Sequence, residues 1–170
     1  MNIRMLKAIL ILPGTALVWV PVLAIWFSRN TVWAADFTPD DTGPWLMALP
    51  LAAVGIWLMR WSVSIYRTEG GDGTPAPWDP ISNFVASGPY QYVRNPMLIG
   101  VILFQGAEAA YLQSWPVFIW MLVFIITNMF YFPLSEEPGL EKRFGETYVR
   151  YKENVPRWIP RLTPWQPPEQ

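Results

Sequence analysis

Four apolar stretches, residues 8–27, 45–59, 96–112 and 115–134, constrain the fold of this chain more than any other feature. The first is apolar apart from Thr15 and would make about 30 Å of helix, enough to cross a bilayer. Only helices and closed barrels satisfy their own backbone there. Composition agrees: 52% of residues are hydrophobic and 16% aromatic, with 11 Trp, well away from a soluble globule. The expected class is an all-α integral membrane protein with about four transmembrane helices. The basic start at Arg4 and Lys7 and the small-residue pattern Val32-Trp33-Ala34 also resemble a cleaved secretory signal. However, the apolar run exceeds the roughly 7 to 15 residues of a signal core.

Between the first two spans lies an acidic loop with Asp36, Asp40 and Asp41. The second span is bounded by Trp45 and Trp61, about 24 Å apart along a helix, which suits aromatic anchors at two interfaces. Residues 67–87 are rich in Gly and Pro and cannot hold a long helix. Trp78, Ile81, Phe84 and Val85 within them predict an ordered loop that packs down rather than a flexible linker. Gln113-Ser114 leaves room only for a tight turn, so the third and fourth spans form a helical hairpin. Glu108 in the third span is expensive at membrane depth; it is either functional or reaches interfacial water or Asn128.

After Leu134 the chain turns polar, and Leu140, Phe144, Tyr148, Tyr151 and Val155 recur at helical spacing with Lys142, Arg143, Arg150 and Lys152 between them. This predicts an amphipathic helix on the membrane surface or folded over the hairpin. The 12 Lys and Arg residues nearly cancel in a net charge of −1, yet with four spans only Arg29 falls on the far side. By the positive-inside rule both termini, the loop before the third span and the basic tail are cytoplasmic, with a bacterial inner membrane as the expected setting. The partition expected is residues 1–66 as two N-terminal spans and residues 67–170 as the functional region.

Cys and His are both absent, which removes thiolate nucleophiles, imidazole bases and the usual zinc, haem and iron–sulfur ligand sets. No metal and no nucleic-acid partner are expected. Proton transfer would fall to Asp, Glu, Tyr, Lys or water. Two polar stretches flank the hairpin on one face: Ser87 to Asn95 before it and Ser135 to Gly139 after it. Antiparallel neighbours bring Arg94-Asn95-Pro96 near Glu136-Glu137. Paired carboxylates beside a bilayer need a cation, either Arg94 or the ammonium group of a ligand.

These residues resemble the integral-membrane methyltransferases that include isoprenylcysteine carboxyl methyltransferases and phospholipid N-methyltransferases. The matching text is Gly88-Pro89-Tyr90, then Arg94-Asn95-Pro96-Met97-Leu98-Ile99-Gly100, then Glu136-Glu137, with Leu140, Phe144-Gly145, Tyr148, Tyr151 and Val155-Pro156-Arg157 following. The resemblance implies a cytoplasmic pocket for S-adenosyl-L-methionine, formed by the hairpin ends and the amphipathic tail, and a lipid or small hydrophobic methyl acceptor. By position, Phe84, Val85, Tyr90, Asn95, Pro96, Leu98 and Glu136 would bind the cofactor, while Arg94 and Glu137 would be catalytic, Glu137 as a base if the acceptor is an amine.

Two positions depart from the family pattern, Asn95 where it has histidine and Leu98 where it has tyrosine. Tyr131-Phe132-Pro133 occupies the stretch in which the carboxyl-methylating branch carries an arginine, which argues against prenylcysteine as substrate. The alternatives are a nicotinamide-dependent reductase of the membrane sterol-reductase type and a non-catalytic membrane protein that keeps the fold.

Overall fold

The computed structural model describes residues 3–36, 42–74, 76 and 78–166; Asp40, Asp41, Pro75, Pro77 and residues 167–170 lie outside them. Helix α1 (Ile3–Gly14) passes through a π-helical turn (Thr15–Trp19) into α2 (Val20–Ser28). Helix α3 covers Gly43–Glu69, α4 covers Pro96–Tyr111 and α5 covers Trp115–Tyr131. A second π-helical turn (Phe132–Glu136) leads into α6 (Glu137–Phe144), and α7 covers Glu146–Asn154. Among the described residues the only pairing of β type is an isolated bridge between Thr74 and Pro80.

Three helical runs, Leu10–Ser28, Gly43–Glu69 and Trp115–Phe144, are long and apolar enough to cross a membrane. The fourth expected span, α4, is a shorter apolar helix of 16 residues, about 24 Å against a hydrocarbon core of about 30 Å. Large apolar side chains on the long runs stand open, Phe27 at 76%, Leu46 at 77% and Leu134 at 76% exposure. Lipid is the solvent in which such a surface is stable. The protein is therefore an all-helical integral membrane protein.

The chain packs as two compact units, Met1–Trp57 with Gly100–Asn128, and Leu58–Ile99 with Met129–Gln170, so each unit draws on both sides of residue 66. In the first unit, α3 and α4 touch through glycine. A Cβ on Gly55 would lie 2.7 Å from the Gly100 carbonyl oxygen and 3.1 Å from the Phe104 nitrogen. The hairpin turn forms as expected: Gln113 takes φ 47°, and the Ser114 hydroxyl accepts a 3.5 Å bond from the Val117 N–H at the start of α5. Asn128 donates to the Phe124 carbonyl at 2.8 Å rather than to Glu108.

Both π-helical turns are followed by proline, and the first explains a buried polar contact. The Val20 N–H reaches back to the Thr15 carbonyl, and Pro21 has no N–H to offer, so Ala16 loses its backbone donors. Gln105 Nε2 at 3.1 Å and Trp120 Nε1 at 2.9 Å donate to the Ala16 oxygen instead. Leaving that carbonyl bare in an apolar interior would cost about 1–3 kcal/mol.

The second turn overturns an expectation. The change of composition after Leu134 predicts a helix end there, but the helix runs on to Phe144. The Glu137 N–H bonds the Phe132 carbonyl, which admits Pro133 and Pro138 without breaking the rod. The single amphipathic helix expected beyond is instead two, α6 and α7, because Gly145 at φ 56° breaks the path.

Glycine at position 55 sets the closeness of α3 and α4. Gly55→Leu should lower the thermal unfolding temperature of detergent-solubilised protein by the equivalent of about 1–3 kcal/mol. Gly106→Ala, where a Cβ meets its nearest neighbour at 3.6 Å, should leave it unchanged or slightly raised.

Candidate functional site

The second unit assembles three segments that are distant in sequence. Gly88, at φ 56°, opens a short 3-10 turn (Gly88–Gln91), and a Cβ there would press on Trp61 Nε1 at 3.1 Å and on Ile65. Only glycine permits this approach. The Ser87 hydroxyl donates to the Glu69 carboxylate at the foot of α3. Beyond the turn, the C-terminal segment runs back along residues 91–94: Arg94 N–H to Pro156 O at 2.9 Å, Arg161 N–H to Tyr92 O at 3.0 Å, and Trp165 N–H to Gln91 O at 2.9 Å. Tyr151 Oη, from α7, donates to the Tyr90 carbonyl at 2.7 Å.

Glu137 is the electrostatic centre of this assembly. Its side chain is 3% exposed, and both oxygens are occupied. Arg94 Nη1 and Arg157 Nε reach Oε1 at 2.8 and 2.6 Å, and Arg157 Nη2 reaches Oε2 at 2.8 Å. Lys152 Nζ stands 3.7 Å from Oε2 and bonds Glu141 at 2.5 Å. One carboxylate thus joins the start of α6 to the loop before α4, to α7 and to the C-terminal segment.

Glu136, one residue earlier, faces elsewhere. It lines a cavity of about 80 Å³ that opens at the protein surface. Its only hydrogen bond among the described residues is from Tyr131 Oη at 3.4 Å. Adjacent residues on a helix point about 100° apart, so the two carboxylates at the end of one rod serve different neighbours.

Aromatic rings form one wall. Phe84 packs between Phe144, Tyr148 and Tyr151 at centroid distances of 5.5, 6.1 and 5.2 Å, and all four line the cavity. Burial, helped by the nearby charge of Glu137, pushes the Tyr148 hydroxyl up to about 12, and burial raises those of Tyr90 and Tyr151. All three remain neutral at physiological pH. The lining also carries two buried donors without hydrogen-bond partners, Arg94 Nε and Asn95 Nδ2. Buried donors are rarely left bare, so a ligand with acceptor atoms fits here.

The structure thus gathers Phe84, Val85, Tyr90, Arg94, Asn95 and Glu136 around one cavity, and leaves three expected site residues off its lining. Pro96 is buried at the start of α4 and Leu98 lies two residues further along it. Glu137 is turned into its cluster of cations, which removes the free oxygen a general base requires. The sequence did not single out Tyr66 or Arg143 for the cavity, and named Tyr148 and Tyr151 as an apolar seam and as part of the resembling tail, not as individual lining residues. The spacing Glu136, Leu140, Arg143 on one helical face was the available signal for Arg143.

An all-helical membrane protein with a polar, aromatic-walled cavity beside a carboxylate–arginine cluster is the class this fold and site define. The chain belongs to the phospholipid methyltransferase family, whose model matches residues 45–147. It is a membrane methyltransferase by that membership. Among curated proteins, none matches the chain.

Because Glu137 neutralises two largely buried guanidinium groups, Glu137→Gln should destabilise the protein by about 3–5 kcal/mol. Glu136→Gln, which breaks no ion pair, should change stability by about 0.5 kcal/mol or less. Thermal unfolding of the two variants in the same detergent checks the contrast.

Proposed function

We propose that the protein is an S-adenosyl-L-methionine-dependent methyltransferase acting on a lipid or small hydrophobic acceptor at the membrane interface, with the cofactor held in the cavity of the second unit. The observation that carries this is the pairing, in a phospholipid methyltransferase family member, of two bare buried donors, Arg94 Nε and Asn95 Nδ2, with a carboxylate, Glu136, that makes no ion pair among the described residues. A ligand that offers acceptors at one end and an ammonium group at the other satisfies both.

In this reading Arg94 and Asn95 donate to ring nitrogens or hydroxyls of the ligand, and Glu136 accepts from its ammonium group. The faces of Phe84, Tyr148 and Tyr151 suit a sulfonium cation. The bound cofactor supplies an electrophilic methyl group for in-line displacement. The chain contributes position and partial exclusion of water, which account for much of the rate in such reactions. Glu137 acts at one remove by fixing Arg94, and with its oxygens occupied an amine acceptor would release its proton to water.

Phe132 and Glu136 lie within the membrane-crossing run Trp115–Phe144, so one wall of the cavity is continuous with a span, which favours an acceptor carried by the bilayer. Tyr131-Phe132-Pro133 offers no cation for a prenylcysteine carboxylate. The distribution of Lys and Arg supports a cytoplasmic mouth and cytoplasmic termini.

Calorimetry on purified protein with S-adenosylmethionine, S-adenosylhomocysteine and NADPH tests the reading. Both adenosyl ligands should bind, and Glu136→Gln should weaken them about tenfold through loss of a charge-assisted hydrogen bond. Binding of NADPH alone, or full affinity in the Glu136→Gln variant, contradicts it.

A further inference from the structure

Arg143 is the cation that lines this cavity without a carboxylate of its own. Arg94, the other lining arginine, is taken by Glu137 at 2.8 Å. Arg143 makes no ion pair among the described residues. Its Nη1 reaches the Ile81 carbonyl at 3.5 Å, the edge of hydrogen-bonding range, and its guanidinium lies 5.6 Å from the centre of the Phe144 ring.

The geometry between these two charges is specific. Glu136, Leu140 and Arg143 share one helical face and all three line the cavity. Glu136 and Arg143 are two turns apart, about 10 Å along the axis, with Leu140 as an apolar floor between them. Among the described residues no salt bridge joins them: Glu136 bonds Tyr131, and Arg143 reaches the Ile81 carbonyl. The space left suits a small group that is anionic toward Arg143 and cationic toward Glu136.

We propose that Glu136 and Arg143 form a clamp for a zwitterionic α-amino-acid group, in which Arg143 binds the carboxylate of the cofactor while Glu136 binds its ammonium. This rests on the functional reading above and deepens it by assigning the carboxylate partner. An α-ammonium and its carboxylate are separated by a single carbon, so whichever cation receives the carboxylate must neighbour Glu136, and Arg143 does. The guanidinium fork matches a carboxylate in two parallel bonds. On binding, its weak contact with the Ile81 carbonyl is exchanged for that stronger pair.

The test compares S-adenosylmethionine with its decarboxylated analogue, which keeps the sulfonium and the ammonium and lacks only the carboxylate. Calorimetry is run on the full-length wild type, Arg143→Gln and Arg143→Lys. The wild type should prefer the carboxylated ligand by about tenfold or more. Arg143→Gln should erase that preference while binding the analogue within about twofold of wild type, and Arg143→Lys should restore part of it, since a point charge replaces a fork. Equal weakening of both ligands by Arg143→Gln makes Arg143 a structural residue and overturns the clamp. Unchanged affinity for S-adenosylmethionine in that variant also overturns it. Absence of binding to the wild type by either ligand overturns the cofactor reading itself, and so separates the two failures.

Discussion

The second unit depends on one carboxylate. Glu137 is nearly inaccessible and is held by Arg94 from before α4, by Arg157 from the C-terminal segment and at longer range by Lys152 from α7. A buried charge is costly unless its partners are well placed, and here the four hydrogen-bonding and ionic contacts come from three different parts of the chain. Such an arrangement selects one docking of those parts over others that apolar packing alone would allow. It also engages Arg94 through Nη1 while its buried Nε is left without a hydrogen-bond partner.

Function follows from the contrast between Glu137 and its neighbour. Neighbouring residues on a helix stand about 100° apart, so Glu136 and Glu137 meet different surroundings. The π-helical turn Phe132–Glu136 lies immediately before the point where the second begins α6. Glu137 builds the wall, and Glu136 is left with a tyrosine hydroxyl and the cavity. π-helical turns are frequent at functional sites. The same device, a π-helical turn followed by proline, recurs at Thr15–Trp19, where it serves packing through Gln105 and Trp120.

Much of the fold was legible in the sequence because hydrophobicity and turn chemistry are local signals. The hairpin closes at Gln113-Ser114, and the encounter of Arg94 with the glutamate pair followed from antiparallel neighbours and the need to neutralise charge. Two features were hidden by proline and glycine. The polar change after Leu134 reads as the end of a helix, whereas the helix runs on through a π-helical turn that absorbs Pro133 and Pro138; the amphipathic seam reads as one helix, whereas the positive φ of Gly145 splits it in two. The site was legible as residues but not as roles. Nothing in the text Glu136-Glu137 says which carboxylate faces the cavity, because that depends on the phase of the helix after the turn. Arg143 was hidden for the same reason.

The central claim is that the cavity between Asn95 and Glu136 is where the methyl donor sits. A structure determined in lipid with S-adenosylhomocysteine bound tests it most directly. The account predicts ligand density packed on Phe84, with Asn95 Nδ2 and Glu136 both within hydrogen-bond distance of it. Density for the ligand at any other place on the protein, with this cavity holding solvent alone, would contradict it.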